Sequence, residues 1–287
     1  MKRVKIILDS TGDIPIEWLE RYDVEIASLY VNWPDGTSEP DVRDPKEIED
    51  FYRRIKEAKE LPKTSQPTAE DFKKLYLKAK EEGYDEIIAL CISSNLSGTV
   101  NSANMAAKEV DIPVYVVDTK LASAVNALVA RRVREILNEG ASGEEAYRKI
   151  LEELNSGRFR AVFYVSDFNF LVKGGRVTKV QGFFGTMLKI RVCVHINEEG
   201  KLIPYRKVRG SQKAAEALVE KVKEYAPEGS KLRILPVHAD NETGARDVER
   251  ILKEYYDVEV TGIAMMGKVI TTHVGPGTAG TGIEIVT

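Results

Sequence analysis

Short apolar runs, each ending in a polar loop and followed by a helix-like segment, constrain this chain most. Residues 4–8 (VKIIL), 86–92 (EIIALCI) and 113–117 are too short and too uniformly apolar for surface helices. They read as strands buried on both faces. Residues 4–8 end at Asp9-Ser10-Thr11-Gly12, and residues 86–92 run into Ser93-Ser94-Asn95-Leu96-Ser97-Gly98. Helices are expected at 15–22, from Asp44-Pro45 onward, at 69–82, from Gly98 to about Val110, at 121–138 and at 143–155. Ile48, Phe51, Tyr52, Ile55 and Ala58 have the spacing of one buried helical face. A further strand is expected at 24–31 and a proline-bounded loop at 62–68. Strands alternating with helices imply parallel crossovers and a doubly wound α/β sheet with helices on both faces.

The pattern changes after about residue 158. A strand at 160–165 leads into a glycine-rich stretch, KGGRVTKVQGFFGTMLKI. Strands near 190–196 and 201–208 flank Asn197-Glu198-Glu199-Gly200, a hairpin turn by its residues. Helices at 211–225 and 243–256 and strands at 231–237, 257–264, 267–272 and 282–286 complete the reading. The length of 287 residues suits two ordinary domains. The expected organisation is an N-terminal three-layer α/β domain over 1–157 and a C-terminal α/β domain with a mixed sheet over 158–287.

Composition narrows the function. A net charge of −3 gives no strong positive field for a phosphate backbone, so nucleic acid is not the expected partner. Cys91 and Cys193 sit in apolar runs without a CxxC spacing, which suits buried thiols in a reducing compartment. The apolar stretch in MKRVKIILDS is too short for a signal-peptide core, and no run approaches a membrane span. A cytoplasmic location follows as the expectation, with membrane contact at most transient.

Three loops carry polar groups that suit an anion. Ser93-Ser94-Asn95-Leu96-Ser97-Gly98-Thr99 lies between a strand and a helix, where unpaired backbone amides and the helix dipole favour negative charge. Ser94 or Ser97 adds hydroxyl donors there; simple N-capping by Ser97 accounts for the same residues. Lys63-Thr64-Ser65-Gln66-Pro67 offers hydroxyls ahead of another helix, or merely a cap and a turn. His273, expected to follow a strand and precede the Gly275-Pro276-Gly277 turn, is either an anion donor or an ordinary turn histidine.

Gly275, Gly277 and Gly280 match a dinucleotide-binding glycine spacing, but no helix follows and there is no room for the acidic ribose ligand. GxxxxGK[ST], GxSxG and SxxK are absent. His195, His238 and His273 have no mutual metal-ligand spacing. No catalytic residue, metal or cofactor is therefore expected.

Taken in order, Asp9-Ser10-Thr11, Thr64-Ser65-Gln66-Pro67, Ser93-Ser94 with Leu96-Ser97-Gly98-Thr99, Val117-Asp118, Lys173-Gly174-Gly175-Arg176 and His273-Val274-Gly275-Pro276-Gly277 resemble the DegV family along the whole chain. The resemblance implies a two-domain fold holding one long-chain fatty acid, such as palmitate, between the domains. It also implies a non-catalytic subunit whose bound carboxylate is phosphorylated by a separate ATP-dependent kinase. Carried over, the carboxylate contacts fall on Thr64, Ser65, Ser94, Ser97 and His273. The run Ser123-Ala124-Val125-Asn126 lacks a glycine that the family often has near that helix. Apolar stretches make Phe183, Phe184, Met187, Leu188, Met265 and Met266 candidates for the acyl tunnel, or else ordinary core. Arg176, Arg206 and Arg209 are candidates for docking a partner, or else a solvated charged face. Two rival functions stay open: an enzyme acting directly on an acidic substrate, and a lipid-sensing regulatory protein with no delivery role.

Overall fold

The structure is a computed structural model that describes residues 2–177 and 189–286. In chain order the first half contains β1 (Val4–Asp9), a 3-10 turn (Ser10–Gly12), α1 (Ile16–Arg21), β2 (Val24–Ala27), β3 (Tyr30–Asn32), β4 (Ser38–Pro40), α2 (Pro45–Glu57), β5 (Lys63–Ser65), α3 (Ala69–Glu81), β6 (Glu86–Cys91), α4 (Thr99–Ala107), β7 (Val114–Asp118), α5 (Ala124–Asn138) and α6 (Gly143–Asn155). The second half contains β8 (Phe159–Val165), α7 (Asn169–Lys173), β9 (Ile190–Ile196), β10 (Leu202–Arg209), α8 (Ser211–Lys223), β11 (Lys231–His238), α9 (Glu242–Tyr255), β12 (Asp257–Val260), β13 (Ala264–Met265), α10 (Lys268–Val274) and β14 (Ala279–Val286).

The apolar runs of the first half form a four-stranded parallel sheet in the order β2-β1-β6-β7. Its strand faces alternate as a period of two requires. Ile6, Leu8, Ile88 and Leu90 join one core with α5, while Ile7, Ile87, Ala89 and Cys91 join another with α3 and α4. Burial on both faces explains why β1 and β6 carry hardly any polar side chains. Local signals set the helices: Asp44 caps α2 with Pro45 in its first turn, and Thr68–Asp71 and Ser142–Glu145 form capping boxes on α3 and α6.

The second half builds a mixed sheet in the order β10-β9-β8-β14-β11-β12, with β13 also paired to β11. Helices α8 and α9 cover one face. Helix α5 lies against the other face while also packing on β1, so both sheets share it. That sharing explains its burial: ten of its residues, from Ala124 to Leu137, are out of solvent. The two sheets and the helices on their outer faces form the expected α/β architecture, one parallel sheet and one mixed.

Four readings change, one of them the strand expected at 257–264, which is β12 and β13, each paired separately with β11. The strand expected at 24–31 is two strands, because the chain leaves the parallel sheet after Ala27 and β3 pairs elsewhere. The loop expected at 62–68 contains β5, which joins β3 and β4 in a small antiparallel sheet. The strand expected at 267–272 is helix α10. Its sequence KVITTHV is rich in β-branched residues, but its first amides have strong acceptors: Gly267 N–H donates to Asp13 (2.7 Å) and Lys268 N–H to Asp41 (2.8 Å). Tertiary capping outweighs a propensity difference of a few tenths of a kcal/mol per residue, roughly.

Candidate functional site

The parallel sheet changes direction between β1 and β6, and the loops after these two strands meet at their C-terminal ends. Asp9 ties them: one carboxylate oxygen accepts from Thr11 N–H, the other from Ile92 N–H at 2.6 Å. Ligands of open α/β sheets lie outside such a point. Here the space is roofed by β8, β11 and β14 of the mixed sheet and by α10, enclosing a cavity of about 270 Å³.

The cavity is apolar over most of its length. Leu29, Ile92, Val125, Phe163, Val237 and Val269 represent its walls. Gly282 on β14 packs directly on the backbone of Ala124 and Val125 and leaves no space for a side chain. Thr11, Ser123 and Thr281 also line the cavity, and a cluster of polar groups, Thr64, Ser65, Gln66, Ser97, Arg176 and His273, lies at one end. Ser65 and Gln66 are exposed, so this end reaches the surface.

Each of these groups is placed by its element. Thr64 lies on β5 opposite Val31 of β3. His273 lies in the last turn of α10, whose other end is pinned by Asp13 and Asp41. The two side chains, 209 residues apart, meet with Thr64 Oγ1 2.7 Å from His273 Nε2. Nδ1 of the same ring is buried against Gly174, without a partner among the described residues. Burial, with the nearby Arg176 guanidinium adding to it, pushes the His273 pKa down to about 3. The ring is therefore neutral at physiological pH. Arg176 donates to the carbonyls of Leu96 (3.3 Å) and Gly174 (2.6 Å). Ser97 Oγ lies 2.9 Å from Thr99 Oγ1, just ahead of α4. Gly98, the residue before α4, lies directly against the Gln66 amide, which donates to Ser102 at 2.9 Å.

A second set of polar contacts holds the cavity wall at the start of α10, the opposite end of that helix from His273. Arg43 donates to Asp13 (3.2 Å) and to the carbonyl of Met265 (2.6 Å). Ser123 has a positive φ of 67° and is held there by Asp13 (2.5 Å) and by its own N–H to the Thr11 carbonyl (2.9 Å). A serine in that conformation is strained, and it lies on the cavity wall. Burial raises Asp13 to about 7, with Arg43 and the Ser123 hydroxyl opposing the rise.

The loops expected to converge do so, but not residue for residue. Thr64, Ser65, Ser97 and His273 line one cavity, and Met266 joins its wall. Ser94 does not. It is exposed, and its hydroxyl donates to Asp118 at the end of β7 (2.6 Å). Met265 packs beside the wall without lining it. Phe183, Phe184, Met187 and Leu188 lie outside the described residues. Arg176 sits at the cavity's polar end, whereas Arg206 is exposed and ion-paired with Glu220, and Arg209 is exposed on β10. Gln66 and Ser123 were not singled out from sequence as lining residues. Gln66 had a signal, its place in the TSQP loop; Ser123 had none beyond the lack of a nearby glycine. Among the described residues no group of three or more His, Cys, Asp or Glu could hold a metal ion, and no helix is long and apolar enough to cross a membrane.

This geometry has counterparts. A protein of Thermotoga maritima named as a fatty acid-binding protein is 60% identical over 284 residues, covering 99% of this chain and 98% of the relative. A crystal structure of a DegV lipid-binding protein from the same organism superposes with a TM-score of 0.95 at 58% identity, covering 99% of both chains. Another T. maritima structure, described as revealing fatty acid binding function, gives 0.94 at 57% identity over the full length of both. The family model described as an uncharacterised protein of the DegV family matches residues 3–285. With a family match over nearly every residue and such identity along the same span, this chain belongs to the DegV family.

Proposed function

We propose that this protein binds one long-chain fatty acid, such as palmitate, with its carboxylate at Thr64, Ser97 and His273 and its acyl chain in the apolar cavity. One observation carries the reading: a cavity with mostly apolar walls that brings Thr64, Ser97 and a neutral imidazole together at its surface end. The relatives' binding of fatty acids supports it. Burying a sixteen-carbon tail contributes roughly 10 kcal/mol gross at about 0.8 kcal/mol per methylene. Ordering the chain and losing translational freedom offset several of these. The tail therefore supplies affinity and the head supplies orientation.

The finer reading is that the protein presents the carboxylate to a separate ATP-dependent kinase, which forms the acyl phosphate. The polar end opens to the surface through Ser65 and Gln66, where a partner can reach it. Neutral donors hold a carboxylate without a direct ion pair, so its oxygens stay available for transfer.

Native mass spectrometry of the purified protein tests the first reading. One bound C14–C18 acid is expected. A protein that carries no lipid and takes up none on titration would overturn it. Incubating the palmitate-loaded protein with a fatty-acid kinase and ATP tests the second: acyl phosphate is expected with the wild type and not with Thr64→Ala/Ser97→Ala, and equal yields from both would refute it.

A further inference from the structure

Behind the Thr64–His273 pair lies a second depression, a cleft of about 530 Å³ between the end of α2, β5 and α7. Thr64, His273 and Arg176 line both spaces, so the pair forms a partition between the apolar cavity and this cleft. The cleft's other charged walls are Lys59, Lys63 and Lys173, against one carboxylate, Glu60. In a chain of net charge −3 this is a local reversal of sign. The three lysines are exposed, and among the described residues none of them forms an ion pair, whereas Lys56 in the adjoining groove is paired with Asp240. Like charges gathered around one concavity repel each other, and an anion within it relieves that repulsion.

His273 closes the partition: its Nε2 is engaged by Thr64, while its Nδ1 is buried against Gly174, itself a wall of the cleft, with no partner among the described residues. With its proton on Nε2 the ring donates to Thr64, which leaves the Thr64 hydroxyl proton for a bound carboxylate.

We propose that this cleft is an anion site for a phosphate group, holding it on the far side of the Thr64–His273 partition from the acyl chain. The proposal rests on the reading that a carboxylate sits at that pair. A phosphate there is either joined to the bound acyl group or a free ion, and the positive charges of Lys59, Lys63 and Lys173 suit both.

The test uses the full chain, delipidated, and 2-oxoheptadecylphosphonate, in which a methylene replaces the bridging oxygen of palmitoyl phosphate. The triple variant Lys59→Gln/Lys63→Gln/Lys173→Gln changes only exposed side chains, so it should fold as the wild type does. Calorimetry is expected to show its phosphonate affinity reduced on the order of tenfold or more, as loss of several water-screened charge contacts implies, with palmitate affinity unchanged within about twofold. Inorganic phosphate titrated into palmitate-loaded protein and followed by ³¹P NMR separates the sources: broadening that the variant abolishes assigns the site to the free ion as well. A wild type that binds the phosphonate but not palmitate would overturn the carboxylate reading and leave the cleft standing. Palmitate binding with equal phosphonate affinity in both proteins would overturn the cleft.

Discussion

Replacing Thr64 by valine tests the head site with little change of shape. The substitution keeps the β-branched form that suits β5 and removes the hydroxyl lying 2.7 Å from His273 Nε2. If that hydroxyl donates to a bound carboxylate, the loss is a hydrogen bond to a charged group, about 1.5–3 kcal/mol. At about 1.4 kcal/mol per decade this weakens palmitate binding by roughly 10- to 150-fold. The apolar cavity is untouched, so binding remains measurable. Titration of delipidated protein with palmitate and, separately, with methyl palmitate provides the control. The ester has the same tail and no anion, so its affinity should fall only about 2- to 13-fold, the loss of a neutral hydrogen bond being worth about 0.5–1.5 kcal/mol. Equal losses for acid and ester would mean that valine has distorted the cavity. No loss for either would refute the assignment of Thr64 to the carboxylate.

Other outcomes follow from the same geometry. Ser94→Ala should leave palmitate affinity within about twofold of wild type, because its hydroxyl is committed to Asp118, while Ser97→Ala should weaken it by on the order of tenfold; calorimetry of both variants distinguishes them, and the reverse order would relocate the site. His273 has its folded pKa lowered from 6.5 to about 3, so the unfolded chain binds the extra proton in that window. Its contribution to stability is then full above about pH 6.5 and is lost as pH falls towards 3, and urea midpoints of wild type minus His273→Gln should rise with pH across that span. Ala161→Phe puts a ring into the cavity wall and should favour shorter acyl chains, read as a rise in the laurate-to-palmitate affinity ratio. Arg43→Met leaves Asp13 and Asp41 buried without their guanidinium and should cost about 3–5 kcal/mol in chemical denaturation.

The parallel sheet was legible because its strands are buried on both faces, which writes an almost unbroken apolar run into residues 4–8 and 86–92. The convergence of the polar loops was legible in part: the loop after β6 lies where the strand order reverses, whereas Thr64 arrives on β5 of the small antiparallel sheet, a segment that reads as a loop in sequence. Which serine faces inward was not legible. Ser94 and Ser97 are chemically alike, and the choice is made by Asp118 on the neighbouring strand. Helix α10 was hidden by its β-branched residues, since the carboxylates that cap it come from residues 13 and 41. Ser123 was hidden because its strained backbone depends on contacts with Asp13 and Thr11 that no local pattern encodes.

The ion pairs around α10 bear on how a guest gets in. Lys268, at the start of that helix, reaches Glu39 on β4 and Glu47 on α2, both at 2.9 Å. β4 pairs with β3, and β3 pairs with β5, which carries Thr64. The histidine and the threonine therefore stand on a single braced frame, like two posts of one gate. The facing jamb, residues 93–98, contains no charged side chain and is held by hydrogen bonds rather than ion pairs, among them Asn95 and Ser93 to the β9–β10 turn and Ser94 to Asp118. Widening the doorway should then swing that jamb and leave the posts still. Hydrogen exchange with and without lipid would register this as protection gained at 94–98 and little change at 268–274; the opposite pattern would mean that the frame itself opens.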